Sequence, residues 1–544
     1  MRTTFSFLTA LTLGPVVLVG CEGQLMSREM PGADAGVAAS DAPYAPGADA
    51  VSLGNDAYLY IEPGRDAALA SADAYAASPD AWVAPMPDAY VPPATGLLAD
   101  DLAITRVDLF QTVRVPLVRD GVSADREGLP VVRGRDALVR IHVEDLAGYS
   151  AHEVTAVVEI ENDLGVARFT DSRTLELPST DSNPDSVFGV RVPATAVALG
   201  ARYRVRLEVA ENGVATAPEA VYPASGFDDL DVVETGRPVF VLVPFRYDTD
   251  GSGRLPEVGE VQLARIRDEL TARFPYADVE IRVHEVVSWS RSNRYTGSVD
   301  WGAVNARLIS MRDDEGAPES EYWYGLMAPD RTRSSYCART TSCVTGQAYV
   351  ATLRGSRVGS GVGFADLDSV ATLAHELGHE HGRSHSPCGT SSSDDDYPYS
   401  SGRVGVWGWD RRSGAFHDPA TASDMMGYCS RQWISDYTYR EMYERQMAMR
   451  ALGWPTVGAA IARRFVTVED GVVSWGERAS LRRLPGERAV GTYLDARGRA
   501  IESVEVSRLD FAEGEGHTWV VPDAAPVGAV ELVAGDDRIA LEAP

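Results

Sequence analysis

Residues 375–385 have the sequence HELGHEHGRSH and contain four of the nine histidines in the chain. An α-helix turns by about 100° per residue, so side chains four positions apart, such as those of His375 and His379, lie within about 40° of each other. The apolar residues Val370 and Leu373 lie roughly opposite to them. We therefore predict a helix with one face in the core and the two histidines on the other face.

Two features predict where this helix begins and ends. Asp366 or Asp368 can cap its N-terminus, and Gly382 stands where a residue with positive φ would end it. A sharp turn at that glycine would let His385 approach the two helical histidines from outside the helix. Three imidazoles with a fourth position left open are the ligand set of a catalytic zinc site rather than a structural one. We expect these three histidines to bind one Zn²⁺.

Glu376 directly follows the first predicted ligand. It is close enough to take a proton from zinc-bound water but points away from the ligand positions, so we predict that it is the general base. The short pattern HExxH occurs by chance in long chains, whereas the longer HExxHxxGxxH adds a glycine and a third histidine.

His381 points about 200° away from His379 if the helix persists. We expect His381 to face solvent.

With this extended pattern the chain resembles the metzincin clan of zinc peptidases. Metzincins share a methionine-containing turn below the metal, and the sequence SDMMGY at 423–428 looks like that turn, with Asp424 where several members have serine. The resemblance implies that Met426 is the turn methionine, with Met425 as the competing choice. It also implies that Tyr428 binds zinc or stabilises the oxyanion, although a merely packed aromatic is the alternative.

The same resemblance implies a substrate site and an activity. Metzincins hold substrate as an extra strand on an edge strand, which would here lie near 346–352. The implied function is a zinc-dependent endopeptidase that hydrolyses peptide bonds of extracellular proteins, with glycoproteins included, by Glu-assisted attack of zinc-bound water. Within the clan, the chain looks most like the bacterial secreted mucin-directed metalloproteases, with pappalysin-like enzymes second.

Two other classes of function stay open at this point. One is a surface adhesion or glycan-binding lipoprotein that keeps a metzincin domain as a scaffold. The other is a zinc hydrolase that cleaves cell-wall peptides. An intact Glu376 beside an open zinc position favours an enzyme over the binding protein, and only a substrate test separates the two hydrolases.

The N-terminus predicts export. The apolar run at 5–19 is shorter than the roughly 20 residues of a membrane-spanning helix and reads as a secretion signal. It ends in LVGC at 18–21, which resembles the lipobox of bacterial lipoproteins and implies a lipid on Cys21. We therefore expect a protein anchored in the cell envelope, at the outer membrane or cell surface, through this lipid only. An ordinary signal peptide with a chance cysteine is the alternative.

Export to an oxidising compartment favours disulfides among the four remaining cysteines. We prefer the pairs Cys337 with Cys343 and Cys388 with Cys429. Three connectivities are possible, and the sequence does not choose among them.

The formal net charge of −29 argues against a nucleic-acid partner, and we expect a monomer that acts on a protein or glycoprotein substrate. The acidic segment 248–257 superficially resembles a calcium loop. The glutamate expected at its twelfth position is replaced by Gly259, so we favour an acidic turn over a Ca²⁺ site.

The patterns along the chain predict a multidomain protein. Alternating apolar residues at 137–143 and 203–209 indicate a β-sandwich, and alternation returns after residue 457. The predicted segments are a lipoprotein signal peptide with its lipidated cysteine at 1–21, a disordered tether rich in Ala, Asp and Pro at 22–98, a β-sandwich at 99–230, an α+β metzincin catalytic domain with a mixed sheet and the active-site helix at 231–456, and a small β domain at 457–544.

Within the catalytic domain, periodicity predicts both strands and helices. The last helix should begin with a capping box formed by Thr438 and Glu441. The predicted strands lie at 239–244, 279–287, 322–327 and 346–352, and the predicted helices lie at 263–274, 304–311, around 375–379 and at 438–452.

Overall fold

The computed structural model describes residues 96–541 except 292–298, 340–342, 354, 356, 391, 452–458, 470 and 513–515. The predicted signal peptide, Cys21 and nearly all of the predicted tether lie outside these residues. The described part is multidomain and rich in strands, with few helices. Among the described helices, none is both long enough and apolar enough to cross a membrane.

The N-terminal part consists of two antiparallel sheets whose buried residues share one core. One sheet has the order β3-β2-β1-β5-β8. The other has the order β10-β9-β6-β7, with β11 also paired to β9, while β12 pairs with β4. The strands are β1 (Leu102–Phe110), β2 (Arg114–Arg119), β3 (Val122–Ser123), β4 (Val131–Val132), β5 (Ala137–Asp145), β6 (Glu153–Asn162), β7 (Gly165–Thr174), β8 (Phe188–Val192), β9 (Arg202–Glu208), β10 (Val221–Tyr222), β11 (Asp228–Asp229) and β12 (Val232–Val233).

The central part contains a mixed sheet, helices and several short strand pairs. Its elements are β13 (Val239–Tyr247), α1 (Glu260–Arg273), β14 (Glu280–Val283), β15 (Val287–Trp289), α2 (Trp301–Asp314), β16 (Glu321–Met327), α3 (Arg333–Cys337), β17 (Gly346–Ala348), β18 (Val358–Val362), α4 (Leu367–Glu380), β19 (Gly408–Trp409), β20 (Phe416–His417), β21 (Ser423–Asp424), β22 (Gln432–Trp433) and α5 (Asp436–Ala451). The sheet order is β14-β13-β16-β18-β17, with β15 also paired to β13. All these pairs are parallel except β17 with β18.

Successive residues of β13 face different layers of the molecule. Phe240 and Leu242 belong to the core that contains α1 and α4, whereas Val241 and Val243 belong to the core that contains α2. A strand buried on both faces reads as a continuous apolar run, which is why the segment was recognisable. The helix α4 packs on β16, β17 and β18.

Strand β18 is the element of this sheet that the sequence patterns missed. It consists of VGSGV, and glycine weakens a strand because it offers no side chain to pack. Both glycines lie where atoms of neighbouring residues come too close to the strand to leave room for a side chain. A Cβ at Gly359 would lie 2.9 Å from Glu380 Oε1, and a Cβ at Gly361 would lie 2.9 Å from Thr345 O and overlap the Tyr324 hydroxyl.

The predicted capping box of the last helix is wrong. Helix α5 begins at Asp436, two residues before Thr438. The cap is Ser435, whose hydroxyl oxygen accepts a hydrogen bond from Thr438 N at 3.0 Å. Serine is as good a cap as threonine, so the local pattern allowed either start and packing decided between them.

The N-terminal sheets and the central part share one hydrophobic core. The guanidinium of Arg135, which is almost fully buried, lies between them. It donates hydrogen bonds to Phe274 O at 2.6 Å and Thr271 O at 2.9 Å in the central part, and to Gln111 O at 3.0 Å in its own part. Trp433 Nε1 also donates to Thr112 O, at 3.1 Å.

The C-terminal part is one antiparallel sheet with the order β24-β23-β27-β26-β25-β28-β29. One set of its buried residues forms a core of its own, and another set, with Leu481 and Phe511 among them, belongs to the core around α2. The predicted domain limits stay predictions. The strands are β23 (Ile461–Glu469), β24 (Val472–Leu481), β25 (Glu487–Asp495), β26 (Ala500–Asp510), β27 (His517–Pro522), β28 (Ala529–Ala534) and β29 (Asp537–Ala540).

The contact between Gly361 and Tyr324 gives a stability prediction. Gly361→Ala should lower the free energy of unfolding by about 1–3 kcal/mol, because the added methyl overlaps the buried hydroxyl. Tyr324→Phe should be neutral or stabilising, because that hydroxyl has no hydrogen-bond partner among the described residues. The double variant should recover only part of the loss, because the added methyl would still lie 2.9 Å from Thr345 O. Calorimetric unfolding checks all three proteins, and equal losses in the single and double variants would contradict the explanation.

Candidate metal centre and cleft

Helix α4 begins and ends as its sequence predicts. Of the two candidate caps, Asp366 is the one used, and its carboxylate accepts a hydrogen bond from Ser369 N at 2.7 Å. Gly382 has a φ of 77°. A Cβ there would lie 3.0 Å from Ala351 O and overlap the guanidinium of Arg445. The chain therefore reverses sharply at this glycine, which no other residue could replace without displacing its neighbours.

The three histidines of the motif converge. His375 Nε2 lies 3.1 Å from His379 Nε2 and 3.2 Å from His385 Nε2. All three residues are buried, and His379 is completely so. They form one of two groups among the described residues whose potential ligand atoms lie within 4.8 Å of one another.

Hydrogen bonds to backbone carbonyls orient two of these rings. His375 Nδ1–H donates to Met425 O at 2.7 Å, and His379 Nδ1–H donates to Arg383 O at 2.6 Å. A neutral imidazole carries one N–H, so donation from Nδ1 leaves the Nε2 lone pair for the point of convergence. Metal-ligating histidines are usually fixed in this way.

The spacing of these atoms fits a metal ion. Two ligands at about 2.0–2.1 Å from a tetrahedral zinc lie about 3.3 Å apart. The Nε2 separations of 3.1 and 3.2 Å are close to that value. Three imidazole nitrogens that converge on one position could hold a metal ion and leave a further coordination position for a reactant.

Glu376 lies between this centre and the edge strand β17. It is 2% exposed, and its carboxylate lies against the backbone of Gly346, where a Cβ would be only 2.8 Å from Oε1. A side chain at this position of β17 would therefore push the carboxylate away. Gly346 is a site residue that no motif identified.

The centre opens into a cleft with a volume of about 430 Å³. One wall is formed by residues 343–346, and the other by the first half of α4, including Ala371 and Thr372. Tyr428 closes one end. At the rim, Arg333 Nη1 and Asp368 Oδ2 form an ion pair at 2.6 Å, so the two charges offset each other and the walls present small, mostly neutral groups.

The turn predicted below the metal lies beneath α4. Met426 contacts Gly378 so closely that a Cβ on the glycine would overlap its sulfur, whereas Met425 contributes its carbonyl to His375. The completely buried Asp424 holds the turn, accepting hydrogen bonds from Met426 N at 2.7 Å and Ser435 N at 2.8 Å. The structure therefore places Met426 rather than Met425 against the helix.

Tyr428 lies at the edge of the centre. Its hydroxyl is 3.0 Å from His385 Nε2, its ring is stacked at 26° on His375, and it is 47% exposed. A disulfide between Cys388 and Cys429 constrains the chain next to Tyr428. The preferred cysteine pairing is thus present, since Cys337 and Cys343 form the second disulfide.

Arg383 supports the centre from behind, and the sequence patterns did not identify it. Its carbonyl accepts the hydrogen bond of His379, while its guanidinium binds Asp394 at 2.7 Å and Glu441 at 3.1 Å. It also lies over the ring of Tyr437, 5.0 Å from the ring centroid. Asp394, the first of three consecutive aspartates at 394–396, is therefore a structural ion-pair partner.

The expectation that His381 faces solvent is wrong. This residue is 1% exposed and stacks on Tyr322 at 4.4 Å. Its Nδ1–H donates to Leu377 O at 2.6 Å, and its Nε2 accepts from the Tyr276 hydroxyl at 2.7 Å. Burial lowers the pKa of His381 to about 3, so the ring is neutral and belongs to the core.

At two other places, side chains that could bind a metal ion are bound to arginines instead. In the acidic segment near 250, Asp250 binds Arg254 at 2.8 Å, which agrees with an acidic turn. In the N-terminal sheets, Asp108, His142 and Asp181 form the second convergent group. The guanidinium of Arg106 contacts all three, at 3.0 Å from Asp108, and a cation already fills that position.

The segment that contains this centre resembles a known protein family. The family model for Peptidase M66 matches residues 326–450. The matched segment contains the three convergent histidines, Glu376 and the turn at Met426, and it is similar to a family of metallopeptidases. It covers a minority of the chain. No curated protein matches the chain.

The contrast between two buried histidines of α4 gives a metal-binding prediction. His379→Ala should reduce bound metal from one ion per chain to nearly none, because it removes one of three convergent donors. His381→Ala, also fully buried but in the core, should keep the metal. Elemental analysis of proteins purified with zinc measures both. Loss of metal in both variants, with their fold intact, would contradict the assignment.

Proposed function

We propose that this protein is a zinc-dependent endopeptidase of the metzincin type that hydrolyses peptide bonds of extracellular proteins, with glycoproteins among its substrates. The observation that carries the proposal is the convergence of three buried imidazoles directly beside Glu376, at the floor of a cleft bordered by an edge strand. The similarity of this segment to Peptidase M66 supports the same reaction class.

His375, His379 and His385 would hold the zinc ion through Nε2. A bound zinc ion would supply Lewis acidity, which polarises a carbonyl group and lowers the pKa of water. The Nδ1 hydrogen bonds of His375 and His379 aim the Nε2 atoms of these two rings at one point. Burial excludes competing water from the donors, which strengthens their electrostatic interactions.

Glu376 acts as the general base. Its carboxylate accepts a proton from the water that attacks the scissile carbonyl, and it then delivers that proton to the nitrogen of the leaving amine. The side chain is held between α4 and Gly346, and this confinement fixes the direction from which the proton is taken. Orientation of this kind contributes to catalysis because the reacting groups are already held in the geometry that the reaction needs.

The substrate lies along β17 as an added strand. Gly346 brings the backbone of this strand close to Glu376, so a peptide bond paired there would be within reach of the base. Small side chains such as Ala371 and Thr372 leave room in the opposite wall for a substrate side chain. The Tyr428 hydroxyl donates a hydrogen bond to the oxyanion that forms during attack.

The remaining parts of the proposal concern the cellular setting. The lipobox-like sequence before Cys21 supports an exported protein that is anchored in the cell envelope by a lipid. The acidic chain supports a protein or glycoprotein substrate rather than a nucleic acid. We propose that the enzyme works as a monomer.

The decisive test is Glu376→Gln in the full-length, zinc-loaded protein. Hydrolysis of casein and of an O-glycosylated mucin should fall by about 10² or more, because the base is removed while the three histidines stay. Glu380→Gln is the matched control on the same helix. Burial raises the pKa of Glu380 well above its usual value and so favours the neutral form of its carboxyl, which glutamine matches in charge and size.

Glu380→Gln should therefore retain near wild-type turnover, and both variants should bind zinc equally. Near wild-type hydrolysis by Glu376→Gln would refute the role of the base. Folded, zinc-loaded wild-type protein that cleaves neither substrate would refute an endopeptidase that acts on unfolded proteins or mucins.

Tyr428→Phe tests the oxyanion role. It should lower kcat on the order of 10² and leave KM nearly unchanged, because the hydroxyl would act only when charge develops. Bound zinc should stay at the wild-type level. Steady-state kinetics with a fluorogenic peptide gives both constants, and an increase in KM at constant kcat would instead indicate that Tyr428 only binds substrate.

A further inference from the structure

The edge strand β17 exposes alternate backbone groups away from the sheet. Val362 N donates to Thr345 O at 2.8 Å, and Tyr349 N donates to Val358 O at 3.5 Å. The odd-numbered residues of this segment therefore face β18. Because hydrogen bonding alternates along an antiparallel strand, Gly346, Ala348 and Val350 direct their N–H and C=O groups outward.

Part of this outer edge is already covered by the C-terminal sheet. Just after β26, Ala512 N donates to Ala348 O at 2.9 Å, and Val350 N donates to Asp510 O at 3.3 Å. Tyr349 and Phe511 form the antiparallel bridge between these bonds. Residues 510–512 thus occupy the place of an added strand beyond Ala348.

This covering segment is held firmly. Phe511 is 7% exposed and stacks on Tyr349, with ring centroids 5.5 Å apart. Its other side lies against α2, where a Cβ at Gly302 would be 3.1 Å from Phe511 Cζ. The rest of the sheet is fixed to the same helix, since Arg482 N donates to Asp313 Oδ2 at 2.8 Å.

The part of β17 that lies in the cleft is therefore short. Gly346 is in the cleft wall next to Glu376. On one side, Ala348 O is taken by Ala512. On the other side, Val344 O accepts hydrogen bonds from Trp301 Nε1 at 3.1 Å and from the Tyr336 hydroxyl at 3.0 Å.

We propose that residues 510–512 of the C-terminal sheet limit the number of substrate residues that can pair with β17. The rate of cleavage then depends on only a few residues of the substrate. This inference rests on the proposed function. It assigns a specificity-determining role to a part of the chain outside the segment that resembles Peptidase M66.

The direction of the strands determines on which side of the cleaved bond the pairing of the substrate with β17 is limited. Residues 510–512 run antiparallel to β17, and a substrate that pairs in the same way at Gly346 would have its amino side directed toward Ala348. Among the described residues, the covered edge begins two residues from Gly346, or about 7 Å at 3.3 Å per residue. The substrate can thus pair for roughly two residues on the amino side of the cleaved bond.

The first arm of the test uses the wild-type, full-length protein. Mass spectrometry identifies a bond cleaved in casein, and synthetic peptides then present two, three, four or six residues on its amino side with a constant carboxyl side. Each further strand hydrogen bond would raise affinity by roughly 2- to 12-fold if the edge were open. With the edge covered, kcat/KM should change by less than about 3-fold from two to six residues.

The second arm removes the cover. Phe511→Ala with Ala512→Pro deletes the stacked ring and the N–H that reaches Ala348, and amide hydrogen exchange at Val350 reports whether the segment has detached. In that protein, kcat/KM should rise by about 10-fold over the same peptide series. Leu532→Ala is the control, because it removes a buried side chain from the core of the C-terminal sheet itself.

The outcomes separate this inference from the proposed function. A rise of more than about 3-fold with the wild-type protein would overturn the inference while leaving the peptidase intact, and this result decides the matter even where the double variant fails to fold. Faster exchange at Val350 without any gain for longer peptides would also overturn it. If neither casein nor any peptide is cleaved, the proposed function fails, and the inference fails with it.

Discussion

The centre depends on two hydrogen bonds from imidazole to backbone carbonyl, from His375 to Met425 O and from His379 to Arg383 O. An imidazole can bind a metal through either nitrogen, and these bonds select Nε2 in both rings. Both carbonyls belong to chain outside α4, so the helix alone cannot form the site. The turn at 423–428 and the reversal at Gly382 must be in place before the donors converge.

Those two carbonyls are in turn placed by the side chains of Asp424, which is completely buried, and Arg383, which is mostly buried. The carboxylate of Asp424 binds the turn to the start of α5, and the guanidinium of Arg383 binds the reversal to Asp394 and Glu441. Turns lack the regular hydrogen-bond ladder of helices and strands, so their buried backbone groups need partners from side chains. Helix α5 therefore serves as the fixed element to which both halves of the centre are attached.

The sequence predicted what depends on local spacing and missed what depends on distant contacts. The three histidines, Glu376 and the end of α4 follow from positions within one short stretch. The structure brings the three histidines together, and Glu376 lines the same cleft. The burial of His381 depends on Tyr276 and Tyr322, far away in the chain, and helical periodicity carries no information about them. The sequence patterns missed strand β18 for the same reason. Its glycines are explained by contacts with Tyr324 and Glu380 and not by strand propensity.

The C-terminal sheet shows this limit most clearly. Alternating residues after 457 predicted strands, and strands are what the structure has, but alternation does not tell which edge a strand pairs with. Through residues 510–512, that sheet reaches β17 and forms part of the cleft boundary. The chemical groups of the centre lie within the matched segment 326–450, whereas this boundary lies outside it. Similarity of that segment therefore bears on the reaction class, and the choice of substrate must be sought in the whole chain.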